Sequence, residues 1–106
     1  MVVRGDIWLV NLDPTVGSEI KKARPCVIIS PPEIHDFLRT AIIAPMTTGS
    51  RAAPFRIPVI HGGKKGLILL DQMRAIDKVR LISKLGALNK ISLDLTLQTL
   101  QEVFTR

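Results

Sequence analysis

Seven prolines and seven glycines interrupt this chain so often that no long helix fits before its last segment. Between the interruptions lie short apolar runs of strand-forming residues. Residues 6–12 (DIWLVNL) read as a first strand, stopped by Asp13-Pro14. A loop with Gly17 and Ser18 runs on to Lys22, longer than a hairpin requires and so a candidate functional loop. Arg24-Pro25 opens a second strand, because a residue before proline prefers extended backbone. Cys26 to Ser30 continues it as an unbroken apolar run, the pattern of a strand buried on both faces, and Pro31-Pro32 ends it before a polar loop over 33–39. Thr40–Met46 is a third strand, with Pro45 placing that end at an edge or bulge. Thr47-Thr48-Gly49-Ser50 is a turn, followed by a basic loop through Pro54. Phe55–Ile60 is a fourth strand, an edge strand by virtue of Pro58. Gly62 to Gly66 reads as a flexible basic turn, Leu67–Leu70 as a fifth strand, Arg74–Ser83 as a turn or short helical segment, and Lys84–Leu88 as a sixth strand. Only after Ser92, the predicted helix cap, do apolar residues recur at helical spacing, at Leu93, Leu97, Leu100 and Phe104. The expectation is a mainly β fold: one domain over 1–106, a small twisted barrel with a C-terminal helix packed on it.

Charge then narrows the partner. Fifteen Lys and Arg stand against nine Asp and Glu, a net charge of +6. Residues 21–65 carry Lys21, Lys22, Arg24, Arg39, Arg51, Arg56, Lys64 and Lys65 against only Glu33 and Asp36. Basic loops around a compact core make an electrostatic footprint for nucleic acid. Tyrosine is absent, and the aromatics are Trp8, Phe37, Phe55 and Phe104, too few for a sheet that stacks a row of bases. The longest uncharged stretch, Thr40 to Ser50, is too short for a membrane-spanning helix. The N-terminal residues lack a secretory pattern, and the lone Cys26 excludes an internal disulfide and a cysteine-built zinc site. A reduced, cytoplasmic protein without a membrane partner is expected.

Catalytic signatures are sparse. No phosphate-binding glycine loop, H-E-x-x-H or paired-carboxylate motif is present, and no metal or cofactor is implied. His35 and His61 would suit acid–base work, but both fall in loop-like segments and nothing local joins them, so the residues by themselves read as surface histidines. Arg24, held by a stiff Arg-Pro backbone at the base of the long loop, is placed either to grip a phosphate or simply to end a strand. The Thr47 hydroxyl either meets a phosphate oxygen or caps its turn.

Five segments in register then resemble one family. They are Arg4-Gly5-Asp6-Ile7-Trp8, Leu12 to Glu19 (LDPTVGSE), Arg24 to Ser30 (RPCVIIS), Ala44-Pro45-Met46-Thr47-Thr48, and Leu69 to Asp77 (LLDQMRAID). Together they are similar to the MazF/PemK toxin endoribonucleases. The resemblance implies an SH3-like antiparallel β-barrel with a C-terminal helix, acting as a homodimer. It implies sequence-selective, metal-independent cleavage of single-stranded RNA by 2′-hydroxyl attack, leaving a 2′,3′-cyclic phosphate. It implies a toxin neutralised by an antitoxin that occupies the RNA groove. The family's functional arginine maps onto Arg24, its threonine onto Thr47, and its first-loop acid onto Glu19, which serves as base or orients Arg24. RNA contacts are expected from Ser18, Lys21, Lys22, Thr48, Arg51, Arg56, Asp71, Gln72 and Arg74. Ser18 and Leu69 depart from one plasmid-borne branch, which has histidine and arginine at those places, so that branch's catalytic set does not transfer. The stretch Ser50–Lys65 is expected to choose the RNA sequence. A non-catalytic nucleic-acid-binding module and a gyrase-directed toxin are the competing readings of the same barrel.

Overall fold

The computed structural model describes all 106 residues. Seven strands run β1 (Asp6–Asn11), β2 (Ala23–Ile28), β3 (Thr40–Thr47), β4 (Arg56–His61), β5 (Lys64–Leu69), β6 (Arg74–Asp77) and β7 (Leu81–Ala87). A four-residue helix α1 (Pro32–His35) lies between β2 and β3, and α2 (Lys90–Val103) closes the chain. All pairings are antiparallel, in the order β4-β5-β3-β2-β1-β7, with β6 added against β3. The expected small barrel is therefore a curled half-barrel, with β4 and β7 at the ends of the strand order and β6 also paired on one side only. Pro58 lies on edge strand β4, where a residue without an amide hydrogen costs the ladder least.

β3 organises the sheet. One side pairs with β2 through Ile43, Ala44 and Pro45. The other side pairs first with β6 over Thr40–Ile43, then with β5 at Met46 and Thr47. Pro45 was expected at an edge or bulge, yet it sits inside this central strand. It falls in the gap where the outer partner changes from β6 to β5, so its missing N–H interrupts no outer pairing.

The curl has apolar residues on both faces. Val27, Ile29, Ala44, Met46, Ile57, Val59 and Ile68 form one cluster. Val10, Leu12, Cys26, Ile28, Ile43 and Ile76 form another on the opposite face of the same strands. β2 is thus buried on both sides, as its unbroken apolar run predicts.

Four local expectations are corrected. β6 occupies part of the segment read as a turn, because Arg74–Asp77 finds a partner in Thr40–Ile43 that its own short sequence does not announce. Lys64 to Gly66 belong to β5, and the turn is only Gly62-Gly63, both at positive φ (58° and 75°), the two-residue hairpin that twists with its strands. Asn89, not Ser92, caps α2: its side-chain oxygen accepts the Ser92 backbone N–H at 2.8 Å. Along α2, Leu100 packs on the first cluster and Thr96 is fully buried, while Phe104 is exposed.

Candidate functional site

A cavity of about 170 Å³ opens at the mouth of the curl, where β2 begins, β3 ends and the β4–β5 hairpin turns. Arg24 and Pro25 form one wall, Thr47 and Thr48 another, and His61, Lys64 and Gly66 a third, over an apolar floor of Met46 and Val59. The structure thus brings Arg24 and Thr47, widely separated in sequence, to a single opening.

Arg24 lies opposite Val10 in the β1–β2 ladder, and its Nε donates to the Lys21 carbonyl oxygen at 3.2 Å. This one bond leaves most of the guanidinium fork free for an anion. Thr47 is the last residue of β3, opposite Leu67. Its Oγ1 accepts the Gly49 N–H at 3.2 Å, so the hydroxyl both caps the turn and keeps its own hydrogen to donate. Both roles weighed for this residue are met by one geometry. Thr48, beside it, lines the same cavity.

The first loop is tied down. Leu12 N–H donates to Lys22 O at 3.0 Å, Lys22 N–H to Asp13 Oδ1 at 3.0 Å, and Ile20 N–H to Gln72 Oε1 at 2.7 Å. Arg74 Nη1 donates to Leu12 O at 3.2 Å. Two of the expected RNA contacts, Gln72 and Arg74, therefore hold the loop beside the cavity. Glu19 Oε1 accepts Val16 N–H at 2.5 Å within that loop, and Glu19 and Ser18 are exposed and outside the cavity wall.

Arg56 and Asp71 form a two-pronged ion pair, with Nε to Oδ1 at 3.1 Å and Nη2 to Oδ2 at 2.9 Å; Arg56 Nη1 also reaches the Arg51 carbonyl. The Arg56 hydrogen bonds hold the Asp71 carboxyl below its usual range, and partial burial opposes them. Arg56 is thus largely neutralised by its neighbour. Lys21, Lys22 and Arg51 are exposed and make no ion pair, which leaves their charge for a polyanion.

The two histidines part company. His35 is buried, with Nδ1 2.9 Å from Ser30 Oγ, and is no surface histidine. Lys78 Nζ donates to its carbonyl oxygen. His61 lines the cavity with Arg24 and Thr47, and Lys64, its cross-strand partner, lies beside it. The signal for both was Gly62-Gly63: read as a two-residue hairpin turn, it pairs residues 61 and 64. No three His, Cys, Asp or Glu side chains gather into a metal-binding group. Cys26 is buried, and desolvation pushes its thiol up to about 12 against a smaller opposing effect of Arg74.

The chain matches known proteins along most of its length. The fold superposes on the crystal structure of MazF from Deinococcus radiodurans with a TM-score of 0.82, covering 94% of this chain and 93% of that one at 22% identity. The Bacillus subtilis protein named endoribonuclease EndoA is 35% identical over 107 aligned positions, covering 95% of this chain and 92% of that protein. Escherichia coli endoribonuclease PemK is 38% identical over 79 positions, covering 70% of this chain but only 59% of PemK. Residues 3–104 match the family model for the PemK-like, MazF-like toxin of type II toxin–antitoxin systems, and the chain belongs to that family.

Proposed function

We propose that this chain is the toxin of a toxin–antitoxin pair and cuts single-stranded RNA at the cavity between Arg24 and Thr47. One observation carries the proposal: an arginine with one local hydrogen bond, and a threonine hydroxyl that accepts one and donates none, line the same open cavity of about 170 Å³. The 2′-hydroxyl attacks the neighbouring phosphorus, leaving a 2′,3′-cyclic phosphate and a 5′-hydroxyl. Negative charge grows on the non-bridging oxygens as it does so. Arg24 meets that charge through two N–H groups, and the Thr47 hydroxyl adds a third hydrogen bond. The reaction so drawn needs no metal ion.

Lys21, Lys22 and Arg51 hold the RNA backbone on either side of the cavity. Glu19, through its bond to Val16 N–H, shapes the loop that carries the two lysines. The active form is a homodimer, for which exposed Ile82 and Leu85 on free-edge strand β7 offer apolar surface. An antitoxin silences the toxin by covering the same basic groove, and the pair works in the cytoplasm.

The test is cleavage of a long unstructured RNA in EDTA by wild type, Arg24→Ala and Thr47→Ala. Loss of one donor to a developing oxyanion costs about 10²- to 10³-fold in rate. Wild-type rates in both variants would discard the site. RNA that is bound but not shortened by the wild type would make the protein a binding module instead.

A further inference from the structure

We propose that His61 accepts the proton of the attacking 2′-hydroxyl, an inference that rests on the RNA-cleaving reading above. The scheme of Arg24 and Thr47 lacks a base. Arginine holds its proton at neutral pH, and threonine's hydroxyl is a donor here. Glu19 is exposed and lies outside the cavity lining, with Oε1 accepting the Val16 N–H.

Of the side chains around the opening, His61 alone carries an imidazole nitrogen whose lone pair can accept a proton. The others are cations, hydroxyls or apolar groups. The fold also fixes its position. His61 ends β4 immediately before the Gly62-Gly63 turn and pairs with Lys64. Val59 and His61 lie on one face of β4, and Val59 is buried in the floor, so the strand's alternation turns His61 toward the opening. The groups facing it are Arg24 from β2, Thr47 and Thr48 from β3, and Lys64 from β5, of which Arg24 and Lys64 carry charge.

In the step, the 2′-oxygen gives its proton to the imidazole, the O2′–P bond forms and the P–O5′ bond breaks. The departing 5′-oxygen takes a proton from water at the open side of the cavity. The hydroxide so made recovers the proton from the imidazolium, and the protein returns to its starting state.

The experiment compares wild type, His61→Gln and His61→Ala on one RNA in EDTA, across pH. Binding is measured with the same RNA carrying a 2′-deoxy group at the cut site. A general base is worth about 10²- to 10⁴-fold, so kcat falls by that factor while binding of the uncut RNA is kept. The acidic limb of the wild-type rate profile, the mark of a base that must be unprotonated, disappears in both variants. Added imidazole restores rate to His61→Ala. Variants that keep the wild-type rate and pH profile overturn the assignment and leave the nuclease reading standing. So does a rate loss matched by lost binding and untouched by imidazole. A wild type inert on every RNA overturns that reading itself, and this one with it.

Discussion

Gly66→Ala tests whether the cavity depends on a close backbone approach. Gly66 is on β5, next to the residue that pairs with Thr47 at the end of β3. A Cβ at position 66 would lie 2.8 Å from the Thr47 carbonyl oxygen and 3.5 Å from its carbonyl carbon. Ordinary contact begins near 3.4 Å. The strand end must therefore give by about 0.6 Å, and the obstacle is backbone, which has no rotamer to swing aside. Overpacking of this kind costs about 1–3 kcal/mol, and loss of glycine's unfolded-state freedom returns only about 0.4–1. For a domain of this size, Tm falls by roughly 4–8 °C per kcal/mol of net loss. Cleavage suffers further, since a displacement of about 1 Å at a reacting group costs on the order of 10²-fold. The control is Gly49→Ala: nothing lies within 4 Å of its added Cβ, and its φ is not positive, so Tm stays near wild type. Calorimetry with a cleavage assay well below both melting points separates the two effects. If Gly66→Ala melted with Gly49→Ala and cut RNA at the wild-type rate, the close approach would have no bearing on the site.

The Asp71 carboxyl, lowered by its hydrogen bonds from Arg56, stabilises the fold above its unfolded pKa of about 3.9, and that contribution is lost as pH falls through the lower folded value. Asp71→Asn accordingly lowers Tm slightly at pH 7, as expected for a partly exposed pair, and the gap to wild type closes in thermal melts taken below about pH 4. Cys26, its thiol raised to about 12 by burial, resists iodoacetamide at pH 8 in the folded protein and alkylates in denaturant, read by intact mass. Rapid alkylation of the native state would contradict the two-sided packing of β2.

Much of the fold was legible because its determinants are local. Alternating or unbroken apolar runs marked β1 to β5, and Pro58 marked an edge. β6 was illegible because Arg74–Asp77 becomes a strand only through pairing with Thr40–Ile43, far back in the chain. The functions of Gln72 and Arg74 were hidden for the same reason: each satisfies a backbone group of the first loop, and no spacing rule announces such a partner. His35 looked like a loop histidine because its burial depends on Ser30 and on Lys78 reaching across to its carbonyl.

The location of the site follows from the same contrast. In the middle of the sheet, side chains on β2 and β3 face apolar clusters on both sides, and nothing polar can be spared there. Functional groups must collect where pairing is incomplete. Arg24 stands at the start of β2, Thr47 at the end of β3, and His61 and Lys64 on either side of a two-residue turn. Along β3 the outer partner changes from β6 to β5, and these ends line one cavity. Arg24 and Thr47 were singled out by the family resemblance, since the residues alone left each open between a phosphate contact and a strand end or turn cap. The resembling segments do not include His61, which has only the turn glycines beside it. It becomes visible only once β4 is known to fold back on β5, and its chemistry depends on a cavity that three separate strand ends create.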